Sequence, residues 1–372
     1  MSNSPPFLTT VLLLITTTFS VAAAASSGNT FRKIYAFGDS YTDTGNTVSS
    51  SGPSGFNYVS SLPYGTTFFH RPTNRYSDGR LMIDFVAEYL SLPLLPPYRD
   101  AKADRSHGVN FAVAGSTAIR HSFFVRNNLS INVTPQSLGT QLIWFEKFLE
   151  DRKGKVLEDS EIEEALFWVG EIGANDHAYT IGSSVKSSTI QKLSIKSITG
   201  FLQVLLKKGA KYVVVQGLPT TGCLPLTMYL SSDVDRDDIG CVGSINKNNY
   251  EQNKVLQTVL KKMRQQFPKA VIVYADFWGA YHEVMKNPGK YGFRELFEAC
   301  CGSGGSPYNF ELFGICGSNA STTCKNPNEY VNWDGVHLTE GMYKVVAGMV
   351  INGTYSRPSF EYLLKRREGG KM

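Results

Sequence analysis

A serine hydroxyl, an asparagine amide and an aspartate-histidine pair sit in three short segments far apart in this chain. The segments are Gly38-Asp39-Ser40, Gly173-Ala174-Asn175-Asp176 and Asp334-Gly335-Val336-His337. A neutral serine attacks an ester carbonyl only when a base takes its proton, and an imidazole base needs a carboxylate on its other ring nitrogen to fix tautomer and charge. Asp334 and His337 offer both within one turn of chain, so Ser40, His337 and Asp334 are the candidate nucleophile, base and orienting acid. Negative charge growing on the carbonyl oxygen needs preorganised donors. The candidates are the backbone N–H of Ser40, the backbone N–H of Gly115 in Asn110-Phe111-Ala112-Val113-Ala114-Gly115, and the side-chain amide of Asn175. Gly115 lets backbone approach a ligand closely because it lacks a Cβ. Taken singly, each segment is an ordinary turn or a solvated pair; taken together they read as a serine esterase.

Elements must carry these groups to one place. The apolar run Ile34-Tyr35-Ala36-Phe37 stops at Gly38, so a strand there would deliver Ser40 to the carboxyl edge of a parallel sheet, where open α/β folds hold their sites. Short runs rich in Val, Ile and Tyr alternate with longer segments of helical period, the pattern of βαβ units. Strands are predicted at 33–37, 108–113, 165–169, 212–216 and 271–274, and helices at 140–152, 189–208, 245–267 and 276–286. Thr339 should cap a last helix, Glu340 to Ile351, which leaves His337 in the loop before it. Residues Thr47 to Asn74, rich in Ser, Gly and Pro, read as a long loop over the sheet edge. No repeat or linker divides the chain, so residues 26–372 are expected to form one α/β domain. The context of Ser40 lacks the G-x-S-x-G elbow, which sets aside an α/β-hydrolase.

The first thirty residues carry no charged side chain, and Phe7 to Ala25 is apolar and ends in small residues, so residues 1–25 read as a secretory signal peptide. Export suits the even count of six cysteines, all in the second half of the chain. Cys223 to Cys241 is the expected bridge; Cys300, Cys301, Cys316 and Cys324 pair in an order that spacing leaves open. Asn128, Asn132, Asn319 and Asn352 head sequons. With no CxxC or HExxH there is little support for a metal, and no cofactor is called for. The charge balance of +5 is spread thinly, which gives no footprint for nucleic acid, and the one dense basic run, Lys365-Arg366-Arg367, reads as a solvated tail. Most of the aromatic residues, which make up 12% of the chain, are assigned to the core rather than to a cleft. Asp43, Asn46 and Asp78 are assigned to loop-fixing hydrogen bonds.

In order, the blocks Phe37-Gly-Asp-Ser40-Tyr-Thr-Asp43-Thr-Gly45-Asn46, Asn110 to Gly115, Gly173-Ala-Asn175-Asp176 and Trp333-Asp334-Gly-Val-His337 resemble a plant-type GDSL esterase/lipase of the SGNH hydrolase superfamily. Arg75-Tyr-Ser-Asp78-Gly79-Arg80, Gly217-Leu-Pro219 with Gly222-Cys223-Leu-Pro225, and Cys300-Cys301-Gly302 are further landmarks, and the likeness runs from Phe31 to Tyr355. It implies a flavodoxin-like three-layer α/β/α sandwich with a mostly parallel five-stranded sheet. It also implies Ser40, His337 and Asp334 as the triad, Ser40, Gly115 and Asn175 as the oxyanion hole, and a monomer in the plant cell wall or apoplast. Tyr41, Ala114 and His177 stand where the family often has Leu, Gly and Tyr, which would reshape the acyl or alcohol pocket. The expected partner is a small-molecule, lipid or polysaccharide ester, with no stable membrane insertion. An extracellular acyltransferase using the same serine, and a non-catalytic wall-binding or defence protein, are the rival readings.

Overall fold

The computed structural model describes residues 31–51, 57–129, 134–152 and 160–369, so the expected signal peptide and Asn132 lie outside the described residues. Five buried apolar runs pair in parallel: β1 (Ile34–Phe37), β2 (Gly108–Asn110), β3 (Leu166–Val169), β4 (Tyr212–Gln216) and β5 (Val271–Ala275). Their spatial order is β5-β4-β3-β1-β2. The chain therefore steps from β1 to one side and returns to β3 on the other, and such a reversal opens a crevice at the carboxyl ends of the two strands. Ser40 follows β1 and Asn175 follows β3, so the order alone brings two of the three segments to that crevice.

Alternation along the strands builds the two faces. Ile34 and Ala36 of β1, with Leu166, Trp168, Val214 and Val273, pack under the helices Met82–Tyr89, Phe277–Lys286 and Glu340–Ile351. Tyr35 and Phe37, with Phe167, Val169, Val213 and Ile272, pack under Leu138–Glu150, Ser187–Lys207 and Gly243–Gln266. The result is the three-layer α/β/α arrangement with a mostly parallel sheet. Just before the candidate nucleophile, Phe37 stacks on Phe111 at 5.2 Å and meets Phe201 and Phe145 edge-on at 5.0 and 5.6 Å. Such pairs add about 0.5–1.5 kcal/mol each beyond the area they bury, and they fix the end of β1.

Some expectations need correction. Ser356–Arg357 adds a sixth, antiparallel strand beside β5, two residues that offer no period to read. The regular strand β2 ends at Asn110, short of the predicted Val113, although the Phe111 and Val113 N–H groups still donate to the Ala36 and Gly38 carbonyls at 2.7 and 3.3 Å. Lys365-Arg366-Arg367 is a turn of the helix Phe360–Gly369 rather than a loose tail: Lys365 and Arg366 are exposed as expected, but Arg367 is 4% exposed and pairs with Glu164 at 2.8 Å. The last predicted helix starts and ends as expected, and the Thr339 hydroxyl accepts from Met342 N–H at 3.2 Å. Disulfides join Cys223 to Cys241, Cys300 to Cys324 and Cys301 to Cys316. Among the described residues, no helix is long and apolar enough to cross a membrane.

Candidate active site

The turn after β1 begins at Gly38, whose φ of 145° and closeness to the Glu171 carbonyl and Thr42 suit a residue without a side chain. Gln141, buried in the helix Leu138–Glu150, grips this peptide from both sides. Its Oε1 accepts Gly38 N–H at 3.0 Å, and its Nε2 donates to the Gly38 carbonyl at 2.7 Å and to Ser116 Oγ at 2.9 Å. One amide thus ties the Ser40 turn to the Gly115-Ser116 segment. Ser40 itself is 6% exposed. On one side of it the Asp39 carboxylate accepts from Tyr41 N–H at 3.1 Å and from Asn175 Nδ2 at 3.0 Å.

Asn175 Nδ2 also donates to the Ser116 carbonyl at 3.1 Å, and Asp176 accepts the N–H groups of Ala118 and Ile119 at 2.8 Å each. Tyr179 Oη donates to the Gly115 carbonyl at 3.1 Å. Ser40, Gly115 and Asn175 are therefore drawn together, with both amide hydrogens of Asn175 directed at the segments that flank them.

The residue after Ser40, Tyr41, reaches the Asp334–His337 turn. The Asp334 carboxylate accepts the N–H groups of Val336 and His337 at 2.8 and 2.7 Å, the His337 Nδ1–H at 2.9 Å and the Tyr64 hydroxyl at 2.9 Å. Burial would raise its pKa, but the His337 charge and these donors outweigh burial and hold the carboxyl below its ordinary range. With Nδ1 facing Asp334, Nε2 is left as the ring's working nitrogen. The turn is clamped by Tyr41, the residue after Ser40, whose hydroxyl donates to the Val336 carbonyl at 2.7 Å and whose ring lies 5.8 Å from His337. Tyr76 packs on the imidazole at 4.7 Å. Phe310 fills the space where a Cβ on Gly335 would stand, and Leu226 N–H donates to the Gly335 carbonyl at 2.9 Å. Asp104 and His107 repeat the Asp-x-x-His spacing, but both are exposed and precede β2 at the far end of the sheet.

The supporting residues act through hydrogen bonds. Asp43 gathers the N–H groups of Gly45, Asn46, Thr47 and Ala114, and Asn46 Nδ2 bridges the Asn110 and Ala112 carbonyls at 2.8 Å each. Asp78 accepts Glu340 N–H at 2.7 Å, which fastens the loop before it to the last-predicted helix. Three contributors are absent from the sequence reading: Gln141, Tyr64 and the amide ladder of the helix Gly243–Gln266. In that ladder Asn253 brackets Leu218, Asn249 holds the Pro219 carbonyl and Thr221, and Asn246 accepts Gly222 N–H, so they shape the loop after β4. Their spacing along one helical face was a readable signal. His177 is held by Gln252 at 2.8 Å, and burial pushes its pKa down.

The model of the GDSL-like lipase/acylhydrolase family matches residues 34–349. A GDSL esterase/lipase of Arabidopsis thaliana, At3g48460, is 58% identical over 344 residues, which cover 91% of this chain and 90% of that one. Acetylajmalan esterase 2 of Rauvolfia serpentina is 38% identical, covering 86% and 90% respectively. Among solved structures, a catalytic mutant of the acetylxylan esterase Axe2 of Geobacillus stearothermophilus aligns at a TM-score of 0.40 and 11% identity over 86% of this chain and 93% of that one. The chain belongs to the GDSL-like lipase/acylhydrolase family and is a carboxylic ester hydrolase.

Proposed function

We propose that this hydrolase works by a two-step acyl-serine mechanism with Ser40, His337 and Asp334 as its triad. The observation that carries the reading is the clamp between the serine turn and the histidine turn: Asp334 receives four donors, and Tyr41, bonded in sequence to Ser40, is hydrogen-bonded to Val336. Ser40 Oγ attacks the ester carbonyl while its proton passes to His337 Nε2, and Asp334 stabilises the imidazolium so formed. Collapse of the tetrahedral species expels the alcohol, which leaves with that proton. Water then attacks the acyl-serine by the same route, releasing the acid and restoring the Ser40 hydroxyl. The oxyanion is received by the N–H groups of Ser40 and Gly115 and by the Asn175 amide, which shares a hydrogen it gives to its flanking acceptors. Each such donor supports kcat by about 10²–10³-fold.

The substrate class is a small-molecule or polysaccharide ester, and the serine's 6% exposure means that the substrate enters a covered crevice. A secreted route is part of the same proposal: three disulfides suit an oxidising compartment, and Asn128, Asn319 and Asn352 are exposed for glycosylation. Ser40→Ala should lower turnover of a short p-nitrophenyl ester by about 10⁴-fold or more while leaving the fold intact by circular dichroism. Activity within tenfold of wild type would refute the assignment.

A further inference from the structure

Beside the candidate nucleophile the protein buries a pair of carboxyl groups that the mechanism does not use. Asp39 and Glu171 are 1% and 0% exposed and lie close enough for their carboxyl groups to interact directly. Their remaining partners are accounted for: Asp39 Oδ1 accepts Tyr41 N–H and Oδ2 accepts Asn175 Nδ2, while Glu171 Oε1 accepts Ala174 N–H at 3.0 Å. Glu171 Oε2 is buried and finds no donor among the described residues. Two ionised carboxylates offer only acceptors to each other, so a hydrogen bond between them requires a proton. The charges that bear on Asp39 are those of Glu171 and Asp176, both of its own sign. Like charges at close range in a buried site do not both ionise.

We propose that Asp39 and Glu171 hold one proton between them at neutral pH, and that Glu171 thereby acts as a positioning residue that keeps Asp39 aligned on the Asn175 amide. Asp39 is the hinge of this device, because its two oxygens reach the peptide after Ser40 and the side chain that faces the oxyanion. Without the proton, two buried negative charges repel, Asp39 turns away and the amide loses its anchor. Burial, then the Glu171 charge and hydrogen bond, raise Asp39 well above the carboxylate range, and burial raises Glu171 as well. The proton belongs to the pair, whose loss is one macroscopic step.

The other groups facing the pair are Tyr41 from the same turn, Asp176 and Tyr179 from the segment after β3, and Tyr343 from the helix Glu340–Ile351. Burial raises all three tyrosines above their ordinary value, so they stay neutral in the range of interest. Burial pushes Asp176 up to about 7 and the Glu171 charge adds to that rise, so Asp176 titrates in wild type and somewhat lower in the Glu171 variants.

The test rests on the serine mechanism above and compares wild type, Glu171→Gln and Glu171→Ala in kcat, KM and pH profile, with active-site titration by a fluorophosphonate. Glutamine supplies a permanent N–H in place of the shared proton. Wild type should show an alkaline fall in kcat; Glu171→Gln should keep kcat at neutral pH within about threefold of wild type and lose that fall, and Glu171→Ala should lower kcat by about 10²-fold with KM changed less than about twofold. If Glu171→Gln retains the wild-type alkaline limb, or falls as far as Glu171→Ala, the shared proton is wrong. Should Glu171→Ala fail to fold, the profile of Glu171→Gln against wild type decides alone. A wild type that the probe does not label sinks the serine mechanism and this inference together, whereas a labelled wild type with an indifferent Glu171 sinks only the latter.

Discussion

Asp39 and Asp334 are each 1% exposed, and each stands next to a group proposed for the chemistry, one beside Ser40 and one beside His337. Their surroundings differ. Asp334 sits in a nest of donors completed by an imidazole, so it is held as the anion and can balance positive charge on His337. Asp39 faces a second carboxyl and feels a third, and burial with like charge drives it toward the protonated form. Burial sets the size of the stake, and the chemistry of the neighbours sets its sign. The two sides of the site thus divide the work. In the proposed mechanism one carboxylate answers charge that comes and goes in each turnover, and the other holds a fixed amide in place.

The largest break in the comparison comes from removing charge on the Asp334 side. Asp334→Asn keeps the volume but presents the imidazole with the wrong tautomer partner, and kcat should fall by about 10⁴-fold in p-nitrophenyl ester kinetics. The Glu171 variants come next, acting through position rather than through charge balance. A finer probe is Tyr64→Phe, which deletes one donor to Asp334, a hydrogen bond to a charged group worth about 1.5–3 kcal/mol. Because Asp334 is depressed in the folded state, its stabilising contribution is present above the ordinary carboxylate range and is lost as pH falls through the depressed value. Tyr64→Phe brings that folded value nearer the ordinary one, so acid unfolding followed by Tm should begin at a higher pH than in wild type. An unchanged acid limb would mean that Tyr64 does not share in holding the anion.

Much of this site was legible from local patterns. Gly38-Asp39-Ser40 at the end of an apolar run and Asp334-x-x-His337 before a Thr339 cap are short signals, and the alternation of β1 and its neighbours announces the sheet. The supports are not legible in the same way because their partners are remote. Gln141 meets Gly38 across 103 residues, and Tyr64 meets Asp334 across 270. Spacing alone also misleads, since Asp104 and His107 carry the same interval as Asp334 and His337 but stay in solvent at the opposite end of the sheet. Arg367 went astray for a related reason: a basic run looks solvated until a partner such as Glu164 and a covering helix face are known. The Asp39–Glu171 contact could be suspected from neither segment, as each carboxyl alone reads as a surface charge.

The proposed nucleophile can be tested by covalent capture. Wild-type protein treated with a fluorophosphonate and digested should give one phosphonylated peptide with the adduct on Ser40, and Ser40→Ala should give none. Capture on another serine, or equal capture by wild type and Ser40→Ala, would contradict the assignment of Ser40 and with it the mechanism built around the Asp334–His337 turn.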